Sequence, residues 1–259
     1  LAAGTYTVYV RDVSGICSNP LVLNFKVINH PNFFTPNEDG ENETWNMCPD
    51  LLEKAIKDRI SKGIKPKAII AINLYGMPDN VKRIHSLSEQ YQIPVIEDSA
   101  EALGSRFDDR PCGTFGDISI LSFNGNKIIT TSGGGALVTK SDALKEKAVF
   151  LSTQARDNAP HYEHSHIGYN YRMSNILAAI GREQLHVLDE RVRVKRQIFS
   201  KYKVALQDID GIEFMPEAPF GKSNRWLTVI LISPEKFGTD RETVRVALEA
   251  ENIDYFRQK

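Results

Sequence analysis

The sequence predicts an α/β fold built on a mostly parallel β-sheet. Two short apolar runs, at residues 68–74 and 93–96, are separated by a stretch with helical periodicity, which is the pattern of a β-α-β unit. A third apolar run follows at residues 118–123. Strands that alternate with helices favour a parallel sheet whose two faces are both covered by helices.

The remaining elements follow from the same periodicities. In chain order we predict a helix with apolar positions from Leu51 to Ile60, a helix that Asp79 caps and that carries Val81, Ile84 and Leu87, extended structure at 136–139, a helix at 141–151, one long helix at 173–206, a strand at 226–232 and a helix at 241–251. The last strand and helix are predicted to begin a small α+β domain.

Residues 1–43 have a different character. Tyr6, Val8 and Val10 alternate with polar residues, a Ser-Gly turn follows at 14–15, and a second strand is predicted at 21–28. This stretch resembles the repeats of secreted adhesins of gliding bacteria, and residues 33–45 resemble the start of their C-terminal sorting domain. We therefore divide the chain into an adhesin-like β segment (1–43), a partial large domain (44–210) and the start of a small C-terminal domain (211–259).

Composition argues against several classes of function. The formal net charge of -1 provides no long-range attraction for nucleic acid or anionic lipid. No apolar run approaches the roughly 18 to 20 residues that span a bilayer, so we expect no membrane partner. The 3 cysteines are too few and too scattered for a disulfide framework or a zinc site, which favours reduced thiols in the cytoplasm.

Polar residues with catalytic potential follow two of the predicted strands. Asp98 ends one strand, and Ser122 and Lys127 lie where the next strand passes into a glycine-rich loop that includes Gly133–Gly135. A carboxylate, an amine and a phosphate-binding loop are the groups that hold pyridoxal 5'-phosphate. Taken singly, the aspartate also suits a helix cap, the lysine a solvated surface and the glycines a tight turn.

Four separated motifs together resemble the DegT/DnrJ/EryC1/StrS family of sugar aminotransferases over residues 44–259. They are EDSAE at 97–101, GTFGD at 113–117, SFNGNK at 122–127 and GYNYRM at 168–173. The resemblance implies the large domain of a fold type I aminotransferase that depends on pyridoxal phosphate, here in truncated form.

The resemblance also implies a role for individual residues. Lys127 is the lysine that binds the cofactor covalently, Asp98 pairs with its pyridine nitrogen, Ser122 binds its phosphate and Glu101 lies near its phenolic oxygen. Asn170 reaches the phosphate of the neighbouring subunit, so the resemblance implies a homodimer with shared active sites. Dehydratases of the family carry histidine in place of the lysine, so the lysine favours transamination.

The substrate class follows from the sequence FNGNK at 123–127 with TTSGGG at 130–135. This combination is most similar to the branch that aminates UDP-linked 4-keto-6-deoxy-N-acetylhexosamines, with glutamate as the amino donor. The implied cycle moves the amino group from glutamate to the cofactor and then to the sugar ketone. Many members have a glutamate between the glycines at 131–135, and its absence here leaves the finer substrate class open.

Two further polar clusters are predicted not to bind metal ions. His161, Glu163, His164 and His166 lack the spacing of a helical ligand pair, so we predict no metal site, although one histidine could contact the substrate. The acidic residues around Gly40 lack the closing glutamate of a calcium loop and are interpreted as a polar turn.

The two resemblances predict different proteins. The alternative to an aminotransferase is a fragment of a secreted surface adhesin without catalysis. The motifs of both meet at residues 43–46, which suggests a chimera joined there. We expect such a chain to lack part of the cofactor pocket and to bind pyridoxal phosphate weakly or not at all. We also expect it to be poorly soluble, because apolar sheet edges are exposed.

Overall fold

The computed structural model describes the backbone of residues 4–10 and 21–27 and all of residues 45–253. The first two segments are the strands β1 (Gly4–Val10) and β2 (Leu21–Val27), which pair antiparallel. Both predicted N-terminal strands are therefore confirmed. The predicted turn at 14–15, the turn around Gly40 and the sorting-domain motif up to residue 44 lie outside the described residues.

The larger described part alternates helices and short strands. Its elements are α1 (Pro49–Ser61), β3 (Ile69–Ile72), a 3-10 turn (Leu74–Gly76), α2 (Val81–Tyr91), β4 (Val95–Asp98), β5 (Arg106–Phe107), β6 (Arg110–Pro111), β7 (Ile118–Ser122), β8 (Gly135–Val138), α3 (Asp142–Ser152), α4 (Asn175–Leu185), α5 (Leu188–Leu206), β9 (Ile212–Phe214), β10 (Gly221–Lys222), β11 (Ile230–Ile232), α6 (Pro234–Phe237) and α7 (Arg241–Ala250). Among these described residues no helix has the combination of length and hydrophobicity needed to cross a membrane.

The central sheet has the strand order β3-β4-β7-β8. The first three strands are parallel, and β8 runs antiparallel to β7. The predicted α/β fold with a mostly parallel sheet is confirmed. Smaller sheets join β10, β5 and β6, and pair β11 with β9.

One face of the central sheet is packed against α1 and α2. The buried cluster on this face combines residues of both helices with inward-facing strand residues: Leu52, Ile56, Ile69, Ala71, Ile84, Leu87, Ile93 and Val95. In β3 burial alternates residue by residue, as expected for a strand with one packed face.

The other face is only partly covered, so the prediction of a sheet covered on both faces is wrong for the described residues. Ile70 and Ile72 on β3 are 54% and 40% exposed, and Ile120 on β7 and Leu137 on β8 are 41% and 46% exposed. The pairing register places these side chains on one face because Asp98 aligns with Ile72 and with Ile120, and Ile120 aligns with Leu137. The helices α1 and α2 both lie on the opposite side.

The cap of α2 is Asn80 instead of the predicted Asp79. The Asn80 side chain accepts a hydrogen bond from the Arg83 N–H. Asp79 is 1% exposed and its carboxylate points into the protein. The sequence placed the cap one residue early because aspartate and asparagine are equally good caps.

The predicted long helix at 173–206 is two helices, α4 and α5, separated by a turn at His186 and Val187. The apolar period from Ile180 to Leu188 passes through Gln184, a polar residue. The Gln184 side chain bonds to the backbone of Thr130 instead of continuing an apolar stripe.

The predicted strand at 226–232 is shorter, because only Ile230–Ile232 forms β11. Residues 223–226 form a buried loop in which each residue is at most 5% exposed. A second apolar cluster contains Trp45, Met77, Met215 and Ala218. The loop is joined to this cluster at Arg225, whose Nη1 donates a hydrogen bond of 2.8 Å to the Met215 carbonyl oxygen.

Candidate active site

The two acidic residues at the end of β4 point to opposite faces of the sheet. Asp98 shares the open face with Ile72 and Ile120, which are its register partners on the neighbouring strands. Its Oδ1 accepts a hydrogen bond of 3.0 Å from the Ala100 N–H, and the rest of the carboxylate is available on this half-buried edge. Carboxyl ends of parallel strands are the usual position of ligands in open α/β sheets.

Glu97 faces the packed side and is 4% exposed. Its carboxylate accepts hydrogen bonds from side chains and backbone amides of three neighbouring segments. The donors are Asn73 Nδ2 (3.0 Å), Ser99 Oγ (2.8 Å), Gly113 N (2.7 Å), Phe115 N (2.9 Å), Gly116 N (3.3 Å) and Ser119 Oγ (2.9 Å). This residue therefore fixes the loop at 113–116 beneath the strand that carries Asp98.

The charge of Glu97 is stabilised by these donors. Burial alone would raise the pKa of Glu97, but hydrogen bonds from Gly113, Phe115, Ser99 and Ser119 outweigh it and place the pKa below the ordinary value of 4.5. Glu97 is therefore ionised at neutral pH and acts as a buried anion with satisfied oxygen atoms.

Lys127 lies in the loop after β7, with its amine turned toward the protein. Its Nζ is 3.3 Å from Glu101 Oε1 and 4.6 Å from the centre of the Trp226 ring. The lysine side chain is only 14% exposed. The alternative of a solvated surface lysine is therefore excluded by the structure.

The position of Glu101 is itself fixed. Its Oε2 accepts a hydrogen bond of 2.7 Å from the Tyr75 N–H, and its backbone carbonyl accepts one of 2.8 Å from Asn224 Nδ2. Gly76 adopts φ +81°, and a Cβ there would lie 2.0 Å from Asn224 Oδ1, so only glycine fits. The buried loop at 223–226 thus places both Glu101 and the Trp226 ring beside the lysine.

Ser122 and the glycine-rich stretch provide hydroxyl and amide groups on the same side. Ser122 is two residues beyond Ile120, so it shares the face of Asp98. Gly134 adopts φ +85°, and a Cβ on Gly135 would lie 2.3 Å from the Leu121 carbonyl oxygen. A carboxylate, an amine and a hydroxyl at one sheet edge have the donor chemistry that pyridoxal phosphate requires.

Asn170 is held by a different part of the chain. It is exposed and forms a bridge with Thr153, while its neighbours Tyr169 and Tyr171 bond to the carbonyls of Leu151 and Ser152. The contacts of Lys127 go to Glu101 and Trp226 instead. The assignment of Asn170 to a neighbouring subunit's site stays a prediction.

The three histidines after residue 160 have separate partners. His164 Nδ1 lies 3.0 Å from the Gln154 carbonyl oxygen, His161 Nε2 lies 3.4 Å from Glu163, and His166 lies 2.9 Å from Ser165 Oγ. Within the part of the chain that the structure describes, no cluster of metal-ligating side chains is assembled.

Sequence reasoning missed two residues of this site. Trp226 was assigned to a strand, and no local pattern predicts that it would cross to Lys127, a contact between residues 99 positions apart. Glu97 was treated only as part of a motif. Strand alternation was a usable indication, because adjacent residues of a strand face opposite sides.

Comparison with known proteins decides the family. The model of the DegT/DnrJ/EryC1/StrS aminotransferase family matches residues 35–256. The chain belongs to this family. The match begins before residue 44, within the segment assigned to the adhesin-like part, and the comparisons give no support to the adhesin alternative.

Relatives in the DegT/DnrJ/EryC1/StrS family are similar over most of the chain. EpsN of Bacillus subtilis, named as a pyridoxal phosphate-dependent aminotransferase, is 55% identical over 75% of this chain and 50% of its own length. GDP-perosamine synthase of Escherichia coli O157:H7 is 38% identical over 80% of this chain and 54% of its own length. The chain thus spans about half the length of the curated relatives it matches.

A solved structure agrees with this assignment. PseC of Helicobacter pylori, an aminotransferase involved in the biosynthesis of pseudoaminic acid, has a TM-score of 0.74 and 26% identity over 87% of this chain and 60% of its own. The aminotransferases of this family depend on pyridoxal phosphate. The predicted fold type I architecture is confirmed by this similarity.

Proposed function

We propose that this chain carries the lysine-bearing part of a pyridoxal phosphate-dependent aminotransferase that moves an amino group from glutamate to a nucleotide-linked 4-keto sugar in bacterial polysaccharide biosynthesis. The observation that carries the proposal is the position of the Lys127 amine. It lies between Glu101 and the Trp226 ring, in the loop that follows the strand paired with that of Asp98.

The residues at the sheet edge divide the work of holding the cofactor. Bound pyridoxal phosphate supplies an electron sink for the carbon that loses a proton. The Asp98 carboxylate would stabilise a protonated pyridine nitrogen, and the Ser122 hydroxyl with the amides of 133–135 would bind the phosphate.

Lys127 has two tasks in the proposed reaction. Its amine would hold the cofactor covalently, and as a free amine it would accept and return the proton of the substrate carbon. Glu101 accepts a hydrogen bond from the ammonium form, and the Trp226 ring covers one side of the amine. These contacts keep the free amine near the sheet edge and limit its access to water.

Similarity to GDP-perosamine synthase supports a nucleotide-linked sugar as the amino acceptor. The choice of a UDP-linked 4-keto-6-deoxy-N-acetylhexosamine rests on the sequence at 123–127 and 130–135. Transamination is favoured over dehydration because lysine occupies position 127. Substrates of this kind support a cytoplasmic location for the proposed reaction.

We also propose that the working unit is a homodimer. Asn170 is exposed, and its backbone forms a bridge with Thr153 at the end of α3. This arrangement leaves its side chain available to a second subunit. In such a dimer each site would use Asp98, Ser122 and Lys127 of one chain and Asn170 of the other.

Borohydride trapping tests the cofactor site. The chain is incubated with pyridoxal phosphate, reduced, digested and mapped by mass spectrometry. We expect selective labelling of Lys127 at a low extent, and no label at this position in Lys127→Arg. The exposed Lys140 serves as the control, since Lys140→Arg should leave the labelling of Lys127 unchanged.

Two outcomes of the trapping experiment would contradict these expectations. Equal labelling of Lys127 and exposed lysines, or none at Lys127, contradicts the cofactor site. Complete labelling of Lys127 contradicts the expectation of weak binding.

Amination of a sugar tests the reaction. With nitrogen-labelled glutamate, excess pyridoxal phosphate and a UDP-linked 4-keto sugar, we expect labelled amino sugar in the product. Lys127→Ala should abolish the product, a loss of at least about a thousandfold, because both covalent binding and proton transfer are removed. Turnover retained in Lys127→Ala would reject the mechanism.

A further inference from the structure

Gln184 on α4 forms a double hydrogen bond with the backbone of the lysine loop. Its Oε1 accepts from the Thr130 N–H at 3.0 Å, and its Nε2 donates to the Thr130 carbonyl oxygen at 2.6 Å. One side-chain amide thus satisfies both backbone groups of Thr130, as a neighbouring strand would. The two residues are 54 positions apart in the chain.

The bonded residue lies in a loop that is otherwise closed on itself. The Phe123 N–H donates to the Gly134 carbonyl, and the Phe123 carbonyl accepts hydrogen bonds from the Thr131 N–H and the Thr130 hydroxyl. Thr130 therefore belongs to the base of the loop. Residues 124–126, next to Lys127, are exposed and gain little from burial.

The helix also approaches the loop closely at a second point. A Cβ on Gly181 would lie 2.9 Å from the Thr131 methyl group, and Thr131 is 2% exposed. Met173, just before α4, lies close to Gly134, because a Cβ on Gly134 would be 2.7 Å from the Met173 Cε. The α4 region therefore meets the lysine loop through one polar clamp and two close contacts.

We propose that Gln184 is a positioning residue for Lys127. The inference rests on the proposed function, because it concerns the place where the cofactor-binding amine is held. Lys127 is three residues before Thr130, and its own backbone bonds only locally, to the Asn124 carbonyl. The clamp fixes the base of the loop, and the base sets the distance from the amine to Glu101 and to the edge that carries Asp98.

Two variants separate the clamp from general packing. Gln184→Met keeps the length of the side chain but removes both hydrogen-bonding groups. Gln184→Glu keeps the shape and the acceptor, but an ionised carboxylate cannot donate to the Thr130 carbonyl, whereas a protonated one can. Gln90→Met is the matched control, because Gln90 is an exposed glutamine on α2.

Hydrogen exchange measured without cofactor gives a reading that does not depend on the proposed reaction. In Gln184→Met we expect the Thr130 amide to exchange about tenfold faster, the effect of losing one or two hydrogen bonds. Amides of the central sheet and of the Gln90→Met control should be unchanged. Unchanged exchange at Thr130, or a uniform increase across the chain, overturns the proposal.

Trapping with pyridoxal phosphate then tests the consequence for Lys127. We expect selective labelling of Lys127 to fall several-fold in Gln184→Met, and to recover in Gln184→Glu as the pH is lowered into the range where a glutamate protonates. A pH profile in Gln184→Glu that parallels the wild type overturns the positioning role. If wild-type Lys127 is not labelled selectively, the proposed function fails, while the exchange at Thr130 still decides the clamp.

Discussion

Glu97 and Asp98 are neighbours of the same residue class, yet the structure uses them in opposite ways. Glu97 accepts six hydrogen bonds on the packed face of the sheet, whereas Asp98 accepts one on the open face. Because adjacent residues of a strand face opposite sides of the sheet, one of these two acids has a structural role and the other is exposed to a potential ligand. The first holds the sheet edge together, and the second is available for a ligand.

The largest expected effect is the loss of stability when Glu97 is replaced. Glu97→Ala leaves buried donors from three segments without an acceptor, so we expect the free energy of unfolding to fall by about 4 kcal/mol. Asp98→Ala should cost under about 1 kcal/mol, because its carboxylate accepts a single hydrogen bond at a half-buried position. Urea denaturation of the two variants measures both values.

The control for these variants is Glu146→Ala, an exposed glutamate on α3 that should change stability by less than about 0.5 kcal/mol. Equal losses in Glu97→Ala and Asp98→Ala would show that the two faces do not differ as described. In the cofactor-trapping experiment, Asp98→Ala should remain folded but should show less labelling of Lys127 than the wild type.

The second prediction tests the backbone beneath Glu97. A Cβ on Gly116 would lie 2.5 Å from the Ile118 carbonyl oxygen and 2.9 Å from the Glu97 nitrogen. Gly116→Ala should therefore destabilise by about 2 kcal/mol, since the backbone atoms it meets cannot move aside. Gly125→Ala, in the lysine loop with no atom within 4 Å, is the matched control and should be near neutral.

Thermal unfolding of these two glycine variants provides the measurement. If Gly125→Ala were as harmful as Gly116→Ala, the lysine loop would be as tightly packed as the region under the sheet. The structure indicates the opposite.

The fold was predictable from the sequence where local pattern and tertiary environment agree. The strands β3, β4 and β7 and the helices α1 and α2 follow apolar periodicities, and the mostly parallel sheet follows from their alternation. Asp98 and Lys127 were found because several motifs agreed in order and spacing. Periodicity could not show that one sheet face is open, since an isoleucine in a strand has the same pattern whether covered or exposed.

The remaining parts of the site depend on contacts distant in sequence. Trp226 contacts Lys127 from a loop that the local pattern predicted to be a strand. Gln184 is a polar residue within an apolar stripe, and its side chain bonds to Thr130. Asp79 and Asn80 were indistinguishable as caps, because either side chain can accept the same hydrogen bond. Tertiary packing decides which residue caps the helix and which distant residues come into contact.

The third prediction concerns the pH dependence that Glu97 contributes. Its pKa in the folded protein is below the ordinary value of 4.5, so its stabilising effect is fully present above that value. As the pH falls from 4.5 through the folded pKa, the unfolded chain takes up the proton first and this stability is lost. In Glu97→Gln the stability gap to the wild type should therefore narrow on acidification, by up to about 1.4 kcal/mol per pH unit.

Denaturation of both proteins across the acid range measures this gap. A gap that stays constant as the pH falls would mean that Glu97 is not held as a buried anion.

The last prediction concerns Asp79, a buried carboxylate with the opposite environment. Both of its oxygens are buried without a hydrogen-bond partner. Burial raises its pKa well above 3.8; the Met47 N–H opposes this shift, and the charge of Glu97 adds to it. Glu97 and Asp79 therefore test whether burial alone decides the charge of a carboxylate in this region.

The sign of the Asp79 effect follows from its raised pKa. Its stability contribution is complete below 3.8 and is lost as the pH rises through the folded pKa, because the unfolded chain then releases the proton more readily. Asp79→Asn cannot ionise, so it should gain stability relative to the wild type as the pH rises from acid to neutral. Denaturation at both pH values would show the variants of Asp79 and Glu97 moving in opposite directions, whereas parallel changes would mean that hydrogen-bond donors do not set the charge of these two residues.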